Sequence, residues 1–202
     1  MKLLLVRHGD TDFNRQRRFM GYTAIPLSPP GVKQVQQLCD NLTASPIQAV
    51  FTSDLRRTRQ TAEILTAGRN LEITLCPELR EVNYGLCEGL SFGEISEKYP
   101  EVAARCIDFS LALDFPGGEN FRGFIRRARG FTKRLKPLPP EATVLIVSHN
   151  GPLKVLICHY LGLPLRHWQR LHLDTASLSI IYVNAGGAVL TRLNDVSHLN
   201  NM

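Results

Sequence analysis

Apolar residues fall along this chain in two patterns: unbroken runs of four, and stripes spaced by three or four residues. Leu3-Leu4-Leu5-Val6 and Val144-Leu145-Ile146-Val147 are the runs. A strand covered on both faces reads this way, so each predicts a buried strand of a helix-covered parallel sheet. Ala49-Val50-Phe51-Thr52 and Ile73-Thr74-Leu75-Cys76 are β-prone segments that predict two more strands. The stripe Val32, Val35, Leu38 and Leu42 predicts a helix, with Ser28 as its cap and Pro29-Pro30 in its first turn. A second helix opens at Ser53-Asp54-Leu55-Arg56-Arg57-Thr58 and runs to about Ala67, before Gly68. Ser91 and Glu94 form a capping box for a helix limited by Pro100. Phe121, Phe124, Ile125, Ala128, Phe131 and Leu135 predict one long helix whose other side carries Arg126, Arg127, Arg129, Lys133, Arg134 and Lys136. A further helix is expected from about Pro152 to Leu161, with Cys158-His159 in its core. Ser177 to Val183 and Ala188 to Leu193, across Asn184-Ala185-Gly186-Gly187, read as a hairpin.

Strands alternating with helices predict an α/β fold: a doubly wound three-layer α/β/α sandwich on a mostly parallel central sheet. Residues 1–202 are expected to form a single domain with a small lid insert at roughly 83–120. Within that insert Cys106 to Asn120 carries no lysine or arginine and reads as irregular.

Both apolar runs end abruptly in chemistry. The first gives way to Arg7-His8-Gly9 and a loop from Asp10 to Asn14; the second gives way to Ser148-His149-Asn150-Gly151. The carboxyl ends of parallel strands are where open α/β sheets bind ligands. If the two strands are neighbours, His8 and His149 share one crevice.

Composition narrows the ligand. No stretch of 18 apolar residues occurs, which argues against a membrane span, and Met1-Lys2 leads directly into the first strand, so a cytoplasmic protein is expected. The five cysteines are odd in number and scattered, and they read as buried thiols. A net charge of +6, with arginine well ahead of lysine, favours an anionic partner and bidentate phosphate contacts. Two histidines could share a metal, but that reading lacks acidic ligands and sets arginines against a cation. A phosphate suits His8, His149, Arg7 and Arg57 together. A neutral imidazole can attack phosphorus, and either His8 or His149 could be the nucleophile. Surrounding cations would keep it unprotonated and neutralise the transferring oxygens. Glu81, after the third strand, is the candidate proton donor.

These motifs together carry a resemblance. Leu5-Val6-Arg7-His8-Gly9-Asp10-Thr11 through Asn14, Ser53-Asp54-Leu55-Arg56-Arg57-Thr58 through Thr61-Ala62, Glu81 through Tyr84-Gly85, and Val147-Ser148-His149 are similar to the histidine phosphatase superfamily, in its phosphoglycerate-mutase-like branch. The resemblance implies His8 as the phosphorylated nucleophile and Glu81 as the acid that later activates water. It implies phosphoryl contacts from Arg7, Arg57, His149 and Asn14, and substrate contacts at Gly21 and Asn150. No cofactor and no metal are implied. Asp10 stands where the family more often has glutamate, and Asn150 where glycine is common.

The short stretch from Cys106 to Asn120, which has no basic residue, favours a phosphatase over a mutase. Leu86-Cys87-Glu88-Gly89-Leu90 and Pro116-Gly117-Gly118-Glu119 most resemble α-ribazole phosphatase-type enzymes of cobalamin assembly, a group with relatives of broad specificity. The expected partner is a small phosphorylated metabolite, such as α-ribazole 5′-phosphate. A cofactor-dependent phosphoglycerate mutase, or a phosphate-binding regulatory protein without turnover, are the alternatives. The basic face from Arg126 to Lys136 lacks interleaved aromatics, so no nucleic acid is expected. Arg15, Arg17 and Arg18 read equally as leaving-group contacts or a solvated loop, and His167, His172 and His198 have no evident partners. A homodimer through the sheet edge or the hairpin is allowed but not required.

Overall fold

The computed structural model describes residues 1–108 and 110–199. Six strands form one sheet: β1 (Lys2–Arg7), β2 (Ala49–Thr52), β3 (Ile73–Leu75), β4 (Thr143–Ser148), β5 (Leu178–Asn184) and β6 (Gly187–Asp195). Their spatial order is β3-β2-β4-β1-β5-β6. β1 pairs in parallel with β4, β4 with β2, and β2 with β3, while β5 runs antiparallel to both β1 and β6.

The unbroken apolar runs follow from this placement. Successive residues of a strand face opposite sides of the sheet. Leu3, Leu5, Val144 and Ile146 pack on one side with Phe131, Leu135, Leu153, Leu156 and Ile157. Leu4, Val6, Leu145 and Val147 pack on the other with Val35, Leu38, Leu42, Ala62 and Leu65. Helices α2 (Pro29–Leu42) and α3 (Arg56–Leu65), each given its place among the helices by its order after the one-turn α1 (Asp12–Arg15), cover the second face. The helix Asn150–Tyr160, which ends the count as α7 after α4 (Phe92–Lys98), α5 (Pro100–Ile107) and α6 (Phe121–Gly130), covers the first.

The chain leaves β1 toward α2 on one face and leaves β4 toward α7 on the other. These neighbouring strands therefore shed their connections in opposite directions, which opens a crevice between their carboxyl ends. The register Arg7↔Ser148 brings His8 and His149 to the same level of that crevice.

The expected elements form with four differences. The loop after β1 contains α1, closed by a capping box between Thr11 and Asn14. Pro100 ends α4 but also starts α5, where its missing N–H costs nothing. The expected irregular stretch from Cys106 therefore begins inside a helix. The long basic helix divides after Gly130 into α6 and a 3-10 turn, Phe131–Leu135, ahead of Pro137; such tightening is common at a helix end. Cys158 is buried as expected, but His159 is exposed, because it follows Cys158 round α7 onto the solvent side.

Residues 82–128 build a third apolar cluster around Val82, Cys87, Ile95, Val102, Phe115, Phe121 and Phe124, which rests on α7 through Val155. Among the described residues no helix is long and apolar enough to cross a membrane.

Leu145 has no exposed surface and lies on the central strand. Leu145→Ala is expected to lower the unfolding free energy by about 2–5 kcal/mol, seen as a lower urea midpoint at unchanged slope.

Candidate active site

His8 extends the ladder beyond β1, its N–H donating to the Ser148 carbonyl at 3.0 Å and its carbonyl accepting from Ala176 N–H at 3.0 Å. The ring is buried, with Nδ1 at 2.8 Å from the Gly9 carbonyl oxygen. A carbonyl can only accept, so Nδ1 carries the proton and Nε2 of the neutral ring keeps its lone pair. Burial, then Arg57 and Arg7, hold the His8 pKa well below the ordinary histidine value.

His149 caps the start of α7, with its ring centroid 5.1 Å from that of His8. Its Nε2 lies 3.0 Å from Ser53 Oγ, and its Nδ1 is buried without a partner among the described residues. Burial and Arg57 depress its pKa as well.

Two guanidinium groups face these rings. Arg7, the last residue of β1, donates to the Leu173 carbonyl at 2.6 Å. Arg57, in the first turn of α3, is fully buried. It donates to the carbonyls of Gly21 at 2.8 Å, Thr23 at 3.2 Å and Met20 at 3.3 Å. Burial lowers the Arg57 pKa to about 10, so the group remains a cation at neutral pH. The Nε atoms of both arginines are buried and unpartnered among the described residues, as is Asn150 Oδ1. Buried polar groups are ordinarily bonded, so their concentration in one crevice marks a place built for a polar ligand.

Glu81 is buried beside α7, where its carboxylate accepts from Gly151 N–H at 3.2 Å and Val82 N–H at 3.1 Å. Burial raises its pKa above the ordinary carboxylate value, opposed by those two hydrogen bonds and by Arg57 and Arg7. The close approach requires glycine at 151, because a Cβ there would lie 2.3 Å from Glu81 Oε1. Arg80, next in the chain, points away and pairs with Asp54 at the entry to α3.

The residues expected from the sequence divide into two groups. His8, His149, Arg7, Arg57 and Glu81 share the crevice, and Asn150 lines the cleft beside it. Asn14 turns its Oδ1 to Thr11, accepting from Thr11 Oγ1 at 2.8 Å, and so closes α1. Gly21 presents its carbonyl to Arg57 and spends its N–H on Glu88 at 3.0 Å. Arg15 pairs with Asp12, and Arg18 donates to the Gly89 carbonyl and to Glu94. His172, read as partnerless, pairs with Asp174 at 2.9 Å. Asp10 accepts from Ser28 Oγ at 3.1 Å, fastening the loop after β1 to the cap of α2.

Two residues escaped the sequence reading. Glu88 gathers the Gly21–Thr23 loop, accepting from Gly21 N–H, from Tyr22 N–H at 2.8 Å and from Thr23 Oγ1 at 2.7 Å; it also accepts from Tyr84 N–H at 3.2 Å. It thereby sets the carbonyls that hold Arg57. Arg127, assigned to the solvent side of its helix, instead turns inward to Glu119 at 2.8 Å and donates to the carbonyls of Arg80 at 2.8 Å, Glu78 at 3.0 Å and Glu81 at 3.2 Å. Its spacing of three from Phe124 and four from Phe131 places it within the apolar stripe, a signal the charge concealed. Among the described residues, no cluster of three or more histidine, cysteine or carboxylate groups is placed to hold a metal ion.

A cleft of about 190 Å³ opens beside the crevice, lined by Val82, Tyr84, Phe115, Phe121, Asn150, Lys154 and Trp168 among others.

Comparison with known proteins agrees with this arrangement. A family model described as the histidine phosphatase superfamily (branch 1) matches residues 3–196. Phosphoserine phosphatase 1 of Hydrogenobacter thermophilus is 31% identical over 199 residues, covering 98% of this chain and 94% of that protein. A protein named "Probable phosphoglycerate mutase GpmB", of Cronobacter sakazakii, is 33% identical over 205 residues, 99% of this chain and 95% of that protein. The crystal structure of the α-ribazole phosphatase from Shigella flexneri superposes with a TM-score of 0.91 at 31% identity, over 97% of each chain.

If Glu88 sets Arg57 through the Gly21–Thr23 loop, Glu88→Ala is expected to weaken binding of inorganic phosphate by ~10-fold or more in calorimetry. Unchanged affinity in a folded variant would sever that link.

Proposed function

This chain belongs to the histidine phosphatase superfamily, and from that membership we propose that it hydrolyses small phosphomonoesters through a phosphohistidine on His8. The observation that carries the reading is the tautomer of His8: with Nδ1–H committed to the Gly9 carbonyl, Nε2 is the free nucleophile. In the first step Nε2 attacks phosphorus, and the ester oxygen leaves with a proton from Glu81. In the second, the Glu81 carboxylate takes a proton from water as the water oxygen attacks phosphorus, and His8 departs unprotonated.

The three transferring oxygens meet Arg7, Arg57 and His149. In the tautomer where the Ser53 hydroxyl donates to His149 Nε2, the ring proton sits on Nδ1, the nitrogen without a partner among the described residues. Two guanidinium groups and an imidazole N–H supply the charge stabilisation that phosphoryl transfer needs, and this supports a metal-independent reaction. Asn14 and Gly21 serve this site by shaping the loops around it. The raised pKa of Glu81 suits an acid, and the depressed pKa of His8 suits a base.

Hydrolysis is favoured over phosphate exchange because residues 106–120 bring no lysine or arginine to hold the second phosphate of a bisphosphate. The relatives are named for different substrates, phosphoserine among them and α-ribazole phosphate among the solved structures, which supports a phosphatase without selecting the ester.

The direct test is phosphate release, in chelator, from p-nitrophenyl phosphate, 3-phosphoglycerate, phosphoserine and α-ribazole 5′-phosphate. Turnover is expected in wild type and absent in His8→Ala, with acid-labile phosphate trapped on wild type alone; equal activity in the variant overturns His8 as nucleophile. The profile of kcat/KM against pH is expected to be bell-shaped. Its acid limb, the protonation of His8, lies below the ordinary histidine value because burial, and then the nearby cations, disfavour imidazolium. Removing one such cation, in Arg57→Ala, raises that pKa and moves the limb to higher pH. Its basic limb, the ionisation of Glu81, lies above the ordinary carboxylate value and disappears in Glu81→Gln, with kcat down by ~10²–10⁴-fold.

A further inference from the structure

The cleft beside the crevice has one feature the phosphoryl chemistry does not use. Its walls are aromatic: Tyr84 packs edge-on against Phe115 with centroids 4.9 Å apart, and Phe121 against Trp168 at 4.9 Å. At about 190 Å³ it exceeds the roughly 150 Å³ that takes up a benzene ring in an apolar cavity. Into this apolar space comes Lys154, which is only 8% exposed. Its Nζ lies 5.7 Å from the centroid of the Trp168 ring, and among the described residues it has no hydrogen-bond or ion-pair partner. Lys154 follows Asn150 by four residues on α7, so the two side chains share a face about one turn apart, and both line the cleft. The amine thus stands one helical turn beyond the residue that follows His149.

We propose that Lys154 is a specificity-determining residue that binds a carboxylate on the leaving group, while the aromatic walls cover an apolar or aromatic body between that carboxylate and the phosphate. The inference rests on the phosphatase reading above. Lys154 is mostly buried and the only carboxylate acting on its ammonium, Glu81, is engaged by the Gly151 and Val82 N–H groups, so a neutral leaving group would leave the amine without a direct partner among the described residues. A second phosphate would bring two charges into a space whose one cation is this amine, the other polar side chains of its wall, Ser110, Asn150 and Gln169, being neutral. A single carboxylate balances the amine, and the Trp168 face holds the amine in place until the carboxylate arrives. The preferred substrate class is therefore a phosphomonoester of an aromatic or apolar hydroxy acid.

The test compares 4-carboxyphenyl phosphate with its neutral isostere, 4-carbamoylphenyl phosphate. Wild type is expected to favour the carboxylate ester by ~10-fold in kcat/KM, Lys154→Met to lose that ratio, and Lys154→Arg to retain it. No preference in wild type, or a preference that survives in Lys154→Met, overturns the proposal. Because the readout is a ratio of two esters on one protein, reduced stability of a variant does not imitate the result. Should Lys154→Met not fold, Lys154→Gln carries the same comparison. Should neither ester be hydrolysed, the phosphatase reading fails separately. Calorimetric binding of the two intact esters to wild type and Lys154→Met then decides the role of Lys154 by the same ratio.

Discussion

Parallel pairing of β1 with β4 is the interaction on which the rest of this structure depends. Each strand is sealed on both faces, and buried strands have their register dictated by the packing of every side chain along them. A slip by one residue would turn Leu3 and Leu5 to the face made for Leu4 and Val6. The same register sets Arg7 level with Ser148, so the apolar core fixes how far apart the two histidines stand. Because the following connections leave for opposite faces, the strand ends remain open between them.

Into that opening the fold brings one buried and one half-buried cation, Arg57 and Arg7, and two imidazoles held neutral. Arg57 is stabilised by three backbone carbonyls rather than by a carboxylate, so its charge is solvated by dipoles without being cancelled. That choice keeps the crevice positive toward a ligand and, through the same field, adds to the burial that keeps both imidazoles unprotonated. Glu81 sits against the start of α7, where burial and two backbone N–H groups act in opposite directions on its proton. The site therefore sets an imidazole that burial and cations keep free of protons beside a carboxyl group whose burial favours its protonated form.

Much of this was legible in the sequence. Unbroken apolar runs ending in Arg7-His8 and Ser148-His149 announced buried strands that deliver chemistry, and the cap at Ser28 and the capping box at Ser91 formed as read. What was not legible depends on long-range contacts. Glu88 bonds to residues more than 60 positions earlier, a relation no local pattern carries. Arg127 was misassigned because charge was taken to mean solvent, although its spacing put it on the inner face. The beginning of α5 was missed because Pro100 was read only as a stop, when proline opens a helix as readily as it closes one. Asn14 and Gly21, expected to face the ligand, also serve the loops that frame it, Asn14 through its Oδ1 on Thr11 and Gly21 through its bonds to Arg57 and Glu88.

Glu88 joins the two halves of the crevice mechanically. Through one carboxylate, the loop that orients Arg57 is tied to the backbone at Tyr84, at the root of the segment that walls the cleft. The phosphate side and the leaving-group side thus share an anchor. For evolution or engineering, cleft residues outside this anchor, such as Leu113 and Phe115, can vary to change what the cleft admits, while Glu119 and Arg127 stay to hold the backbone at Glu81. The short stretch from Glu81 to Glu88 belongs to the chassis, and a transplant that carries it across would retune the reaction along with the substrate range.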